Sequence, residues 1–109
     1  MYLIRRKVKC KPGKAWEVAG YLTRICRAYE SMPQGRDKAV VYIGGAGLPG
    51  EANTVYAEWK QERIEPIKQG GVPEAVRTNH AKMAECMDEY TIEFYELATE
   101  EKLKARNFL

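Results

Sequence analysis

The sequence predicts one α+β domain in which a four-stranded antiparallel sheet carries two helices on one of its faces. Segments with strand-like alternation and two segments with helical spacing follow one another in the order β-α-β-β-α-β. The 109 residues suffice for one modest hydrophobic core and leave no room for a second. We therefore expect a single domain, residues 1–109, with a peripheral charged tail from about residue 98.

The first half of the chain predicts a strand, a helix and a second strand. In residues 2–10 every second side chain is apolar except Arg6, which gives one apolar face and one basic face. The turn Lys11–Lys14 ends this strand, and an amphipathic helix follows. The apolar positions of that helix are Trp16, Ala19, Leu22, Cys26 and Tyr29. The run 39–43, rich in β-branched residues, predicts the second strand.

A glycine-rich loop at residues 44–50 connects the second strand to a third at 53–60, which together predict a hairpin. The loop formally fits the dinucleotide pattern G-x-G-x-x-G, but that motif binds pyrophosphate by opening a helix. Because this loop leads into a strand, we expect no nucleotide site. We expect a loop over the mouth of a pocket or at a dimer contact, where glycines permit close backbone approach.

The last part of the chain predicts a second helix and a fourth strand. A loop is predicted at 66–71, and Pro73 is suited to the first helical position. The apolar stripe of the helix is Val76, His80, Met83 and Met87. Residues 90–97 then alternate as a strand. Two β-α-β halves in this order predict a ferredoxin-like βαββαβ sandwich whose first strand is central.

Composition excludes several classes of protein. The apolar fraction of 45% and the charged fraction of 30% are ordinary for a folded domain, and a net charge of +3 is too small to indicate nucleic-acid binding. We expect no membrane segment and a cytoplasmic location, because no apolar run has spanning length and the N-terminus is charged. Three cysteines without C-x-x-C spacing indicate free, mostly buried thiols, and one histidine offers no metal site.

One face of the predicted sheet has no helix to cover it. That face carries the basic side chains of the first strand, and opposite charges on the third strand can meet them. We expect Val41, Tyr56 or Tyr95 to contribute apolar surface there. An uncovered face of this kind predicts a homodimer formed through the sheet.

The chain resembles the dimeric α+β barrel superfamily, especially its NIPSNAP-like and antibiotic-biosynthesis-monooxygenase-like members. The resemblance rests on the element order, the K-P-G-K turn and the stretch from Gly45 to Trp59, and it covers nearly the whole chain. Asn53, Val55, Glu58 and Trp59 match the returning strand of those families. It implies a dimer and a ligand cavity between helices and sheet.

Members of this superfamily include cofactor-independent oxygenases, polyketide cyclases, isomerases, haem-degrading enzymes and proteins without known activity. The fold alone does not choose among them. Haem-degrading members pair a histidine of the second helix with an asparagine on the first strand, where this chain has Arg5 and Arg6. The resemblance therefore implies a function without haem.

Two residues are predicted as catalytic. His80, placed on the apolar stripe, has a side chain whose usual pKa of about 6.5 suits proton transfer, although a packed core histidine is the alternative. Arg6 lies on the apolar face of a central strand and needs an acceptor. Glu96 would make Arg6 structural, whereas a substrate enolate, carboxylate or phenolate would make it an anion-binding residue.

Further side chains are predicted to line a site for a flat hydrophobic ligand, with ordinary core packing as the alternative. They are Trp59, Tyr42, Met83, Met87 and Tyr21. The leading hypothesis is a small enzyme of secondary metabolism, a monooxygenase or a cyclase or isomerase, that uses neither metal nor organic cofactor on a polyketide-like or aromatic substrate. The second is a non-catalytic dimeric small-molecule-binding or interaction protein of the NIPSNAP-like type.

Overall fold

The predicted βαββαβ order is confirmed, with a short third helix after it. The structure is a computed structural model that describes residues 1–33, 36–64 and 71–109. The strands are β1 (Tyr2–Cys10), β2 (Val40–Gly44), β3 (Thr54–Gln61) and β4 (Met87–Glu96), and the helices are α1 (Ala15–Glu30), α2 (Glu74–Ala84) and α3 (Glu100–Ala105). Most of the loop predicted at 66–71 lies outside the described residues.

The sheet is antiparallel throughout, in the spatial order β2-β3-β1-β4, so β1 is central as predicted. The register places Arg6 opposite Ala57 of β3 and Ile92 of β4. Since side chains alternate across a strand, Arg6 points to the same side as Ile4 and Val8, which are 2% and 0% exposed. We call this side, which faces α1 and α2, the inner face.

The hydrophobic core lies between the inner face and the two helices. Its fully buried members come from both layers: Val8, Val18, Leu22, Ile25, Val55, Ala57 and Met83. Burying one Val, Leu or Met side chain stabilises the fold by about 1.5–3 kcal/mol, so this cluster holds α1 and α2 on the sheet. Cys10, Cys26 and Cys86 are buried free thiols, as predicted.

The opposite side of the sheet, the outer face, carries paired charges. Arg5 forms an ion pair with Glu93 at 3.0 Å, and Glu51 bridges Lys7 at 2.7 Å and Lys9 at 2.8 Å. These partners come from a neighbouring strand and from the loop before β3. The basic half of β1 is therefore neutralised locally on this face.

Several details of the predicted elements were wrong. Pro73 is the residue before α2 and not its first residue, and Met87 begins β4, because α2 already ends at Ala84. Trp16 is 78% exposed, since Val18 takes the inward position at the start of α1. Val41 lies on the inner face, opposite Ala57, and packs against the core.

No helix in the described part of the chain is both long and apolar enough to cross a bilayer.

Candidate functional site

Arg6 is a cation placed among apolar neighbours on the inner face. Its cross-strand partners Ala57 and Ile92 have no polar side-chain atom that could accept its hydrogen bonds. Nη1 donates to the hydroxyl of Tyr90, whereas Nε is buried and has no hydrogen-bond partner in the described part of the chain. A buried donor without an acceptor costs about 1–3 kcal/mol. The protein therefore keeps one donor of this guanidinium unused.

Three aromatic rings surround the Arg6 guanidinium. Its Cζ lies 5.4 Å from the ring centroid of Trp59, 5.8 Å from that of Tyr90 and 5.9 Å from that of Tyr29. Arg36, in the segment between α1 and β2, has its Cζ 3.8 Å from the ring of Tyr29 and 4.9 Å from that of Trp59. Ring faces attract cations within about 6 Å. We call these five residues the arginine–aromatic cluster.

Each member of the cluster is placed by regular structure or by the segment next to it. Trp59 on β3 stands opposite Ile4, Tyr90 on β4 stands opposite Val8, and Tyr29 lies in the last turn of α1. The indole nitrogen of Trp59 donates to the side-chain oxygen of Gln61 at 2.9 Å, which fixes the plane of the ring. The cluster thus bridges α1 and the three adjoining strands of the sheet.

Burial and positive charge act together on the titratable groups here. Burial raises the pKa of the Tyr90 hydroxyl, and the charge of Arg6 partly opposes that shift. The pKa of the Cys26 thiol on α1 is likewise raised by burial, against the effect of Arg6. Tyr90 is therefore a neutral phenol that accepts from Arg6 and retains its own proton as a donor.

The predicted neighbourhood of Arg6 was partly correct. Arg6 lies on the inner face, and Trp59 is beside it. The proposed internal partner Glu96 was wrong: its carboxylate pairs with Lys102 of α3 at 3.1 Å. Since Glu96 stands opposite Tyr2, four residues along β1 from Arg6, it belongs to the other end of the strand.

The expected inward orientation of His80 was wrong. His80 is exposed, and Asn79 takes the inward position between Val76 and Met83. The amide of Asn79 donates to the carbonyl of Ala75 at 2.7 Å, which satisfies it in the core. His80 still borders the cluster, because its ring packs edge-on against Tyr90 with centroids 6.2 Å apart.

Tyr42, one of the predicted lining residues, is turned away from the inner face. It stacks on Tyr56 with centroids 5.0 Å apart and donates to Glu58, so its ring lies on the outer face. Burial and Glu58 raise its pKa to about 12. Its predicted orientation toward an inner pocket was wrong.

The remaining predicted lining residues lie in or beside the core at the Cys10 end of β1. Met83 is 0% exposed and packs in the core, and half-buried Met87 stands opposite Cys10. The hydroxyl of Tyr21 donates to Glu17, which also accepts from the Cys86 thiol. The structure therefore brings Arg6 and Trp59 together, with His80 at the edge of their cluster.

The glycine-rich loop leads into β3 as predicted, but Glu51 at its end is held on the outer face by Lys7 and Lys9. This end of the loop therefore lies on the opposite side of the sheet from the arginine–aromatic cluster, and not over the mouth of an inner pocket. A shallow pocket of about 370 Å³ also opens beside Lys7 and Lys9, next to Thr91 of β4.

Sequence reasoning missed Arg36 and Tyr90 as members of the site. Tyr90 had a usable signal, because it falls on the same face of β4 as Ile92 and Phe94, and antiparallel pairing with β1 brings that face beside Arg6. Arg36 follows Pro33 and Gly35 in a segment without periodicity, so no pattern indicated its direction.

No metal-ligand cluster of three His, Cys, Asp or Glu side chains occurs within residues 1–33, 36–64 and 71–109. The chemistry available from the described cluster is that of two guanidinium groups, two phenols and aromatic surface. Such groups bind anions and stabilise negative charge that develops on oxygen.

Solved structures of low sequence identity share this fold. A dimeric protein of unknown function with a ferredoxin-like fold from Bacteroides fragilis covers 88% of this chain and 96% of its own, at 12% identity and a TM-score of 0.58. A NIPSNAP domain protein from Burkholderia xenovorans covers 92% and 97%, at 13% identity and a TM-score of 0.57. A protein from Chloroflexus aurantiacus named for antibiotic biosynthesis monooxygenases covers 91% and 95%, at 14% identity and a TM-score of 0.53.

No family model matches the sequence. No curated protein matches it at a significant level. At 12–14% identity the structural likeness establishes the fold and leaves the activity open. The resemblance predicted from the sequence is therefore confirmed as a shared ferredoxin-like α+β fold, found also in a NIPSNAP domain protein and a monooxygenase-like protein.

Proposed function

We propose that the chain is a small cytoplasmic enzyme of secondary metabolism that acts, without metal or organic cofactor, on a hydrophobic oxygen-bearing substrate of the polyketide-like or aromatic kind. The reaction is a monooxygenation or a cyclisation or isomerisation, and all of these begin by removing a proton to give an oxyanion. The arginine–aromatic cluster is the site of this step.

The observation that carries the proposal is the buried Nε of Arg6. It has no acceptor among the residues that the structure describes, and aromatic rings surround the guanidinium that it belongs to. A donor held in advance where negative charge develops lowers the barrier, because the protein has met the cost of orienting it during folding. The rings of Trp59 and Tyr29 are buried, and the half-buried ring of Tyr90 offers the aromatic surface that suits a planar apolar substrate.

The proposed mechanism assigns three roles. His80, which contacts Tyr90 from the solvent side, takes the substrate proton at the rim of the cluster. The electron pair of the broken bond remains on the substrate as an enolate or phenolate, whose oxygen Arg6 binds. In a monooxygenation the substrate anion reduces molecular oxygen and forms a carbon–oxygen bond with it, and the resulting peroxide takes up the proton held by His80 and loses water to leave a carbonyl group. In a cyclisation the carbon of the anion attacks a carbonyl group of the same molecule, whose oxygen takes up the proton, and in an isomerisation the proton returns to a different carbon. The Tyr90 hydroxyl supplies a further hydrogen bond to the oxyanion.

Substitution of Arg6 and His80 tests this proposal. We expect Arg6→Gln and His80→Ala each to lower kcat/KM by about 100-fold, the usual effect of losing an oxyanion donor or a general base. Turnover of polycyclic phenols and of 1,3-diketones is followed by oxygen uptake and by mass spectrometry of the products. Lys82→Ala, an exposed change on the same helix as His80, is the matched control.

Folding of each variant is checked by circular dichroism before its activity is compared. Unchanged turnover in folded Arg6→Gln and His80→Ala would remove both residues from the mechanism. Equal losses in Lys82→Ala would show that disturbance of α2, and not proton transfer, explains the effect of His80→Ala.

The alternative is a dimeric small-molecule-binding or interaction protein without catalysis, of the NIPSNAP-like type. The exposure of His80 favours it, because an exposed base is less well placed for proton transfer in a water-excluded site. Under this alternative, a ligand protects the protein against thermal unfolding and is recovered unchanged. Recovery of altered ligand would favour the enzyme.

We also propose a homodimer formed through the outer face. One structural relative is described as dimeric, and the outer face carries half-buried Tyr42 and Tyr56 together with exposed Tyr95. Sedimentation of the wild type and of Tyr95→Glu distinguishes the states. The added charge is expected to weaken the dimer by about tenfold or more.

A further inference from the structure

Arg36 makes the cluster doubly positive. Its guanidinium and that of Arg6 share two aromatic rings, those of Tyr29 and Trp59. Burial and the charge of Arg6 lower the pKa of Arg36, which reflects how little solvent screens the two groups from each other. Like charges held in one region oppose folding unless something offsets them.

Within the described residues no carboxylate lies within 4 Å of either guanidinium. The acidic residue at the end of α1, Glu30, directs its Oε2 to the backbone N–H of Ala39 at 2.9 Å. The rings offset part of the charge through cation–π attraction, at about 0.5–2 kcal/mol for each contact. They give Nε of Arg6 no acceptor.

The charges required by the proposed reaction explain the second arginine. An oxyanion formed during turnover needs one positive partner, and Arg6 supplies it. A second cation beside the same rings has a role if the substrate already carries a negative charge before the reaction begins. Total charges of +2 on the protein and −2 on the deprotonated substrate then match.

A carboxylate fits this position better than a phosphate. A carboxylate has two oxygens and is planar, so it accepts two parallel hydrogen bonds from one guanidinium fork. A phosphate monoester presents three tetrahedrally arranged terminal oxygens and up to two negative charges, so together with the oxyanion it would exceed the two positive charges of the cluster. Aromatic walls leave the additional acceptor sites of a phosphate without partners.

We propose that Arg36 is a specificity-determining residue that binds a carboxylate of the substrate, so that the substrates of this site are aromatic or polyketide-like carboxylic acids. This inference rests on the proposed function, because it assigns the substrate class of the same cluster. The apolar body of the acid lies against the half-buried ring of Tyr90, next to Trp59, and Arg6 remains free for the developing oxyanion.

The test measures binding through the fluorescence of Trp59. Trp16 is 78% exposed, so Trp16→Phe removes the second tryptophan without disturbing the core. The probes are 3-phenylpropionate, its neutral methyl ester and 2-phenylethyl phosphate. We expect the acid to bind at least about tenfold more tightly than the ester, the difference made by one charge-assisted contact.

Variants of Arg36 assign that preference to one residue. In the same background, Arg36→Gln is expected to reduce the acid's affinity by about tenfold and leave the ester's affinity unchanged. Arg36→Lys keeps the charge without the planar fork and is expected to retain part of the preference. It also serves if the glutamine variant fails to fold. Arg27→Gln, an exposed change on α1, is the control and should bind like the parent.

Three outcomes would overturn the inference. If the ester binds as tightly as the acid, the apolar site of the proposed function stands and the carboxylate assignment fails. Tighter binding of the phosphate shows that the class of anion is wrong. If none of the probes binds, the inference and the proposed function fail together.

Discussion

The two faces of the sheet treat the basic residues of one strand in opposite ways. On the outer face Arg5, Lys7 and Lys9 all pair with carboxylates, of Glu93 or Glu51, at 2.7–3.0 Å. On the inner face Arg6 meets aromatic rings and a phenol, and its Nε has no acceptor within residues 1–33, 36–64 and 71–109. Neighbouring positions of β1 thus contain both paired and incompletely satisfied cations.

This difference distinguishes cations that are paired with carboxylates of the protein from a cation that keeps an unused donor. A cation paired at the surface contributes little to stability and needs no further explanation. A guanidinium with a buried, unused donor lowers stability, and such a cost is typical of a site that awaits a ligand. Under the proposed function, the outer face serves assembly and the inner face serves chemistry.

The largest expected effect tests whether close side-chain packing stabilises the inner face of the sheet more than the outer face. Leu22 on α1 is 0% exposed, so Leu22→Ala should lower the free energy of unfolding by about 2–5 kcal/mol through lost burial and a cavity. Tyr95 on the outer face is 42% exposed, and Tyr95→Ala should cost less than about 1 kcal/mol. Urea unfolding at low protein concentration measures both. Equal decreases in the free energy of unfolding would mean that side chains of the outer face are packed as tightly as those of the inner face.

The next effect concerns the loop that brings Glu51 to the outer face. Gly45 has φ of 73°, and a Cβ there would lie 2.6 Å from the carbonyl oxygen of Glu51. We expect Gly45→Ala to lower the free energy of unfolding by about 2 kcal/mol, from backbone strain and this clash. Gly47 has φ of 76° with no atom within 4 Å of its Cβ position, so Gly47→Ala should cost about 1 kcal/mol. Similar losses in thermal unfolding would argue against the close contact.

The position of Arg6 followed from the sequence, whereas the direction of His80 did not. In a strand the period of two allows only two orientations, and the apolar neighbours Ile4 and Val8 chose between them. In a helix, positions 79 and 80 lie almost equally close to a stripe through Val76 and Met83. The packing of α2 settled the choice, and Asn79 can be buried because its amide bonds to Ala75.

For two further side chains, those of Tyr42 and Arg36, the sequence pattern does not predict which way the side chain points. The run Val40–Ile43 is apolar on both of its faces, so alternation could not place Tyr42, which points outward. Arg36 lies in an irregular segment, where the direction of a side chain depends on the surrounding tertiary structure. Local periodicity therefore predicted the fold and the position of Arg6, but it did not predict that Arg36 belongs to the arginine–aromatic cluster.

A smaller effect, an increase in the free energy of unfolding, tests how much the unused donor of Arg6 destabilises the fold. Arg6→Met keeps most of the volume and removes the unused donor, so it should raise the free energy of unfolding by about 1 kcal/mol and, under the proposed function, lower kcat/KM by about 100-fold. Arg5→Met on the outer face removes an exposed ion pair and should lower it by no more than about 1 kcal/mol. Chemical denaturation measures whether each variant raises or lowers the free energy of unfolding. A marked destabilisation by Arg6→Met would make Arg6 a structural residue.

The smallest expected effect is a dependence on acid pH at the Glu51 carboxylate of the outer face. Lys7 and Lys9 lower the pKa of Glu51 from 4.5 to about 2. Because the pKa is lower in the folded state, the stabilisation is complete above 4.5 and is lost as the pH falls from 4.5 toward 2. Glu51→Gln should remove this part of the acid dependence, measured as the difference between its unfolding profile and that of the wild type. A carboxyl NMR titration in which Glu51 protonates near 4.5 would show that both lysine contacts are absent in solution. The described inner cluster contains no carboxylate, so Glu51→Gln should leave the affinity of that cluster for its ligand unchanged.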